Sequence, residues 1–438
     1  MLHWKEKDNL AVQETIKIDP RDFITGPYQK CFKCGQNEFG VLNIHDNQYT
    51  RRCRYCLRMM TFALPELRKK VVYIDQFAIS NIMKVLNPEA KGHQRTAAEP
   101  FWRDLYETLD VVCHLQLVVC PDSKEHDYES LTSAFYQPLK HTFEHFSGGA
   151  TFRDSDSVKL HQIVRAASCF VRNEPAEFEF DLKRVVHGRI HAWQDKIRIS
   201  VDGHLPGMVE KLRKGRNQTF TGLQEVFEQW CKEKKTFGEV FEQERSSYGP
   251  FVLRQYVKSR QKLMQSFLTH TVDLDSLMCS EGLVVKAVEY ALQDHTTPET
   301  LPERVKEFFF SQYMKDVPFN MIASSMFASL AAKAAAGQKE PPNQGTSNDI
   351  TIVSTLLPYC DAMFVDNKCR ALLQDIPRKF KLPYPCRVFS PNTGSEFLAY
   401  LRDIRDSATD EHLKQVEELY GPNIFKPRGI YGVKAAKG

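Results

Sequence analysis

No apolar run in this sequence approaches the length of a bilayer span, which excludes an ordinary transmembrane helix. The first residues, MLHWKEKDNLAVQE, lack the apolar core of a signal peptide. A cytoplasmic protein with no membrane partner is therefore expected. Charge of one sign is scarce: 59 basic and 55 acidic residues leave a net +4, too little for composition alone to argue nucleic-acid binding. What matters is where the positive charge collects. A disulfide framework is not suggested either, because only four of the twelve cysteines are spaced as a set and the rest are scattered singly in apolar context. No internal repeat is visible, so a solenoid is not expected.

What the sequence does contain begins with CFKCG and RRCRYC. They give Cys31, Cys34, Cys53 and Cys56 as C-x2-C-x18-C-x2-C. Two tight turns that each supply two thiolates suit tetrahedral zinc, and Gly35 lets the first turn close. Four thiolates leave no open position, so this zinc is expected to be structural. The segment between the turns, with Val41, Leu42, Ile44 and Tyr49, alternates like a hairpin. Arg51, Arg52, Arg54 and Tyr55 crowd the second turn, where they can grip phosphates and stack on a base, or simply form a solvated basic face.

The rest of the chain is organised around short apolar runs that stop on acids. Val71–Ile74 ends on Asp75 and leads into the helical FAISNIMKVL. Leu115–Cys120 reads as a second strand. It runs into a helix capped by Ser123 and carrying Glu125 and Glu129. Asn348 or Ser347 caps a helix bearing Asp349, Pro358 ends that helix, and Ala362–Val365 forms a strand that stops on Asp366. In a parallel sheet these acids would gather at the carboxyl edge, where open α/β sheets bind ligands. Uncompensated carboxylates repel, and a hard cation such as Mg2+ or Mn2+ resolves the repulsion. Asp361 precedes its strand, which puts it at the opposite edge in a structural role.

YIDQFAISNI around Asp75, the run Ser123–His126–Glu129, and SNDI with PYCDAMFVDN resemble the acidic motifs of PIN-like domain nucleases. The resemblance covers roughly residues 68–145 and 317–405. It implies a PIN-like parallel sheet flanked by helices, and metal-dependent phosphodiester hydrolysis with RNA ahead of DNA. By the same resemblance Asp75, Asp349 and Asp366 match the first, third and fourth family acids. Either Glu129 or Glu125 matches the second. Gln76 departs from the family, where a small hydroxyl residue often follows the first Asp. Such nucleases are often toxins or antiviral defence effectors, so the resemblance also implies a regulatory partner or a homo-oligomer.

The expected organisation is a zinc ribbon with its N-terminal arm over 1–66 and the sheet domain in two parts, 67–145 and 317–420. Between them lies an all-α insertion, 146–316, and a basic tail follows over 421–438. Within the insertion, KLRKGRNQ concentrates Lys211, Arg213, Lys214 and Arg216, either a nucleic-acid contact loop or a plain solvated one. The small-residue stretch Phe319–Ala336 is expected to be a closely packed core helix, and Gln338–Ser347 a linker near the mouth of the site. Two competing functions are weighed against a nuclease. One is a non-catalytic nucleic-acid-binding scaffold. The other is a zinc protease using His141, Glu144 and His145 of an H-x-x-E-H run; the pair His187 and His191 has the same spacing.

Overall fold

A computed structural model of the chain describes residues 19–131, 133, 135–196, 208–269, 280–338 and 340–426, with the backbone alone at 20 and 208–220. The chain divides into two compact units. The first comprises the stretch up to Leu67, the chain from Ala192 and the segment Asp410–Ile424; the second comprises Arg68–His191 and the chain onward to Thr409. Among the described residues no helix is long and apolar enough to cross a membrane.

In the first unit, β1 (Thr25–Gln29), β2 (Phe39–His45), β3 (Gln48–Cys53) and β4 (Met59–Ala63) form an antiparallel sheet in that order. The expected hairpin is thus the centre of four strands. Arg51 is fully buried, and its guanidinium donates to the carbonyl oxygens of Pro27 (2.9 Å), Phe39 (3.1 Å) and Glu418 (2.9 Å). Glu418 lies on a helix, Asp410–Tyr420, which the sequence reading had assigned to the sheet domain. Buried carbonyls need donors, and one arginine supplies three of them.

The second unit opens with β5 (Lys70–Ile74), α1 (Gln76–Leu86), α2 (His93–Ala97), α3 (Pro100–His114) and β6 (Val118–Val119). The strand expected over Leu115–Cys120 is only these two residues, because Leu115 closes α3 and Gln116 takes a φ of 61°. The polar stretch before α3 contains α2. Next come β7 (Asp122–Ser123), α4 (Lys124–Ser130), α5 (Tyr136–Ser147), β8 (Thr151–Phe152), α6 (Ser155–Arg172) and β9 (Val186–His187). The strands β7, β8 and β9 form a small sheet, so the insertion is not purely helical. Two residues per strand are too few for apolar alternation to register.

Then follow α7 (Met208–Glu233), α8 (Phe237–Leu268), α9 (Ser280–Gln293), α10 (Leu301–Phe310), α11 (Gln312–Lys315) and α12 (Pro318–Ala335). KLRKGRNQ is therefore helical, not a loop, within α7. Gly249 lets α8 pass close to α10, since a Cβ there would sit 1.9 Å from the Phe309 carbonyl oxygen. The chain returns through α13 (Thr346–Leu356), β10 (Ala362–Phe364), α14 (Asn367–Gln374), β11 (Arg387–Phe389) and α15 (Gly394–Asp406).

The main sheet has the order β11-β10-β5-β6, and every pairing in it is parallel. Successive residues of a strand point to opposite faces, which divides the core in two. Val71, Tyr73 and Met363 join α12 and α13 on one side; Val72, Ile74, Ala362 and Phe364 join α1, α3, α5 and α15 on the other. Leu223, Phe227, Trp230, Val240 and Phe241 of α7 and α8 belong to the first of these cores. Residues 146–316 consequently do not stand apart as a domain, although α6, α8, α9 and α10 also share a separate apolar cluster.

Candidate active site

β5 and β10 are the two central strands, and the chain leaves them in opposite directions, toward β6 and toward β11. That makes their carboxyl ends the topological switch point, the place where helices on opposite faces diverge and leave a crevice. Asp75 follows β5 and Asp366 follows β10. Ile74 pairs with Phe364, and the Asp75 N–H donates to the Phe364 carbonyl at 3.0 Å, so the two acids leave neighbouring strands nearly level. Each caps the helix that follows: Asp75 accepts from the Phe77 N–H at 3.3 Å and Asp366 from the Cys369 N–H at 2.5 Å. Capping leaves carboxylate lone pairs over, because each oxygen accepts more than one bond.

Glu129 arrives on α4. Ser123 caps that helix, accepting from the His126 N–H at 3.2 Å, and Asn348 of α13 donates to Glu129 Oε1 at 2.7 Å. Asn348 does not cap α13 as expected. The helix starts two residues earlier, where Asn343 Oδ1 accepts from Gly345 N and Thr346 N, and Asp349 lies in the first turn. Glu125, the competing second acid, accepts from both the Ser155 N–H (2.9 Å) and hydroxyl (2.6 Å). Gln76 donates to the Ser130 hydroxyl at 3.0 Å, bracing the start of α1 against the end of α4.

All four acids, Asp75, Glu129, Asp349 and Asp366, are half-buried. Burial, then the Glu129 carboxylate and more weakly Asp366, push the Asp75 carboxyl up to about 7. Beneath them, burial and the charges of Asp75, Glu129, Asp349 and Glu125 raise the Tyr73 phenol well above its ordinary value. Burial together with Asp349, Asp366 and Asp75 does the same to the Cys369 thiol. Among the described residues no three of these acids bring oxygens within 4.8 Å of one another. The arrangement is an open cup of oxygen donors, the donor type that hard cations prefer.

Two cavities flank the acids. One of about 620 Å3 reaches from Asp366 past Lys84, Arg95 and Trp102; one of about 280 Å3 contains Asp349 and is lined by Gln338 and Pro342 of the expected linker. Asn367 and Lys368 line both. Asp361 sits at the other end of its strand, bound to Lys70 Nζ (2.8 Å) and the Val71 N–H (2.9 Å), a structural role as expected. His126 is buried between the Tyr73 and Phe143 rings, with Nε2 3.0 Å from the Tyr73 hydroxyl.

In the ribbon, Cys31, Cys34, Cys53 and Cys56 form one group able to hold a metal such as zinc. Sγ separations of 3.6 Å (Cys31–Cys56 and Cys34–Cys53) are near the roughly 3.8 Å edge of a tetrahedron with Zn–S bonds of about 2.3 Å. Both turns close alike, Gly35 N–H to Cys31 O at 2.8 Å and Leu57 N–H to Cys53 O at 3.0 Å. Of the basic residues proposed to bind nucleic acid here, Arg51 is buried, and its terminal nitrogens are engaged by three carbonyls. Arg52 is half-buried, Arg54 lies over the Tyr28 ring at 5.9 Å, and Tyr55 is 71% exposed. The side chains of Lys211, Arg213, Lys214 and Arg216 lie outside the described residues.

The H-x-x-E-H run does not assemble as a zinc-protease site. Among the described residues His145 groups with Asp110 and His114 instead, and Glu144 lies 4.0 Å from Lys140. His187 and His191 are not on a helix, since His187 ends β9. Asp110 and His114 are polar residues the sequence did not single out; Asp110 meets His145 from 35 residues away. No protein-family model, no curated protein and no solved structure matches this chain.

Proposed function

We propose that this chain is a metal-dependent endonuclease of PIN-like fold that hydrolyses phosphodiester bonds. The observation that carries this reading is the gathering of acids from separate stretches near the switch point of a parallel sheet, where burial, Glu129 and Asp366 push Asp75 up to about 7. Asp75, Glu129, Asp349 and Asp366 would hold Mg2+ or Mn2+. When bound, such a cation activates a water for attack on phosphorus and stabilises the departing oxygen.

The chain's own residues position the rest. Asn348 holds the Glu129 carboxylate, and the Gln76–Ser130 bond ties α4 to the helix that Asp75 caps. Lys84, Arg95 and Lys368 line the larger cavity beside Asp366 and suit phosphates on either side of the scissile bond. RNA ahead of DNA, a toxin or defence role, and a regulatory partner or homo-oligomer follow from the family resemblance alone.

The test is cleavage of single- and double-stranded RNA and DNA in Mn2+ and in EDTA. Cleavage is expected with the cation and not with the chelator. Asp75→Asn and Asp366→Asn should each drop to background while the circular dichroism spectrum stays unchanged, because each removes a charge and little volume. Strand binding without cleavage under every condition would instead favour a scaffold. Undiminished cleavage by the folded double variant would reject the site.

A further inference from the structure

We infer that Asp110, His114 and His145 form a second zinc site, independent of the ribbon and of the acidic cup. Asp110 and His114 lie one turn apart on α3, and His145 comes from the last turn of α5. The Asp110 carboxylate is wholly buried, and both imidazoles converge on one of its oxygens: His145 Nε2 at 2.5 Å and His114 Nδ1 at 2.8 Å, the latter nitrogen lying also 2.8 Å from the Asp110 backbone carbonyl, which it must give up to bind the ion. The two rings are 5.0 Å apart and inclined at 68°, so their nitrogens approach from different directions.

Zinc bonded to nitrogen and oxygen at about 2.0–2.1 Å holds its ligand atoms roughly 3.3 Å apart. All three atoms already lie within 4.8 Å of one another, and the two short separations, 2.8 and 2.5 Å, need to open by about 0.5 and about 0.8 Å. A second observation points the same way. The Tyr106 hydroxyl, one turn before Asp110 on the same face of α3, is buried with no hydrogen-bond partner. A buried hydroxyl is costly to leave unpaired, and a zinc-bound water or the ion itself would satisfy it.

Two imidazoles and a carboxylate suit zinc and other borderline first-row cations rather than Mg2+. Both imidazoles are mostly buried, at 20% and 12% side-chain exposure, so the site has little access for a substrate. Its effect is structural: it staples α3 to α5, both of which share a core with α1, the helix that begins at Asp75.

Elemental analysis of the purified full chain, dialysed against a weak chelator, tests this. About two zinc ions per chain are expected in the wild type and about one in His145→Ala and in His114→Ala. A single zinc in the wild type, or a second that survives in both variants, overturns the proposal. If the variants misfold, cobalt titration of the wild type decides. A phase with intense thiolate charge-transfer bands and a second phase with only weak d–d bands support the site; one thiolate phase alone defeats it.

Discussion

At the scale of single residues, two buried groups of opposite habit set the response to pH. The Asp75 carboxyl, held near 7 by burial, Glu129 and Asp366, keeps its proton more tightly in the folded chain than in the unfolded one. Its contribution to stability is complete below the ordinary value of 3.8 and is lost as pH rises through about 7. His126 behaves in reverse: burial lowers its imidazole to about 3, so its contribution is present above 6.5 and lost as pH falls toward 3. Without divalent cation, Asp75→Asn is therefore expected to exceed the wild type in stability at pH 8 by about 2–4 kcal/mol, and to match it at pH 4. Urea denaturation at the two pH values measures this. Equal stability at pH 8 would mean that neither burial nor the neighbouring carboxylates penalise a charged Asp75. That Asp75 and Asp366 end strands could be read from Val71–Ile74 and Ala362–Val365. That Asn348 would hold Glu129 and not cap its own helix could not, because the partner is 219 residues away.

At the scale of elements, the acid on α4 depends on a short helix, and seven residues are too few to be stable by themselves. Its start relies on the Ser123 hydroxyl. Ser123→Ala should cost about 1 kcal/mol of global stability. On the proposed mechanism it should also raise the Mn2+ concentration needed for half-maximal cleavage, because Glu129 is one turn beyond the loosened end. An unchanged metal requirement alongside the expected loss of stability would show that Glu129 lies outside the cation's reach. The long helix α12 was legible from its run of small residues, and β6 lies within the strand expected over Leu115–Cys120. The two-residue strands β7 to β9 were not. Their existence rests on hydrogen bonds between segments, and their sequence carries no local period.

At the scale of the whole molecule, the two units draw on different sources of stability. Among the described residues the apolar cluster around the four cysteines is small, with Cys31, Phe39 and Cys53 buried, so a bound metal would supply much of the folding energy there. The parallel-sheet unit has two large apolar cores and no such need. Exhaustive chelation is expected to abolish amide-exchange protection in β2 and β3 while Val71–Ile74 and Ala362–Phe364 stay protected. Loss of protection in both units together would show that the sheet unit also depends on metal, as the Asp110–His114–His145 site would require if its zinc is indispensable. Purified His145→Ala separates the two cases.

The amino-acid sequence by itself determined the features that are local. These are the cysteine spacing, the apolar runs that stop on acids, and the periodicity of helices long enough to show one. Their signal lies within a dozen or so residues, because backbone dihedrals and side-chain direction impose it at that range. Only the tertiary structure decided that Arg51 is a buried strut and no phosphate grip, and that helix Asp410–Tyr420 belongs with the ribbon. It alone brought His145 to Asp110. Each of these depends on which groups from remote stretches need a hydrogen-bond or charge partner, and chain closure, not local pattern, brings such partners together.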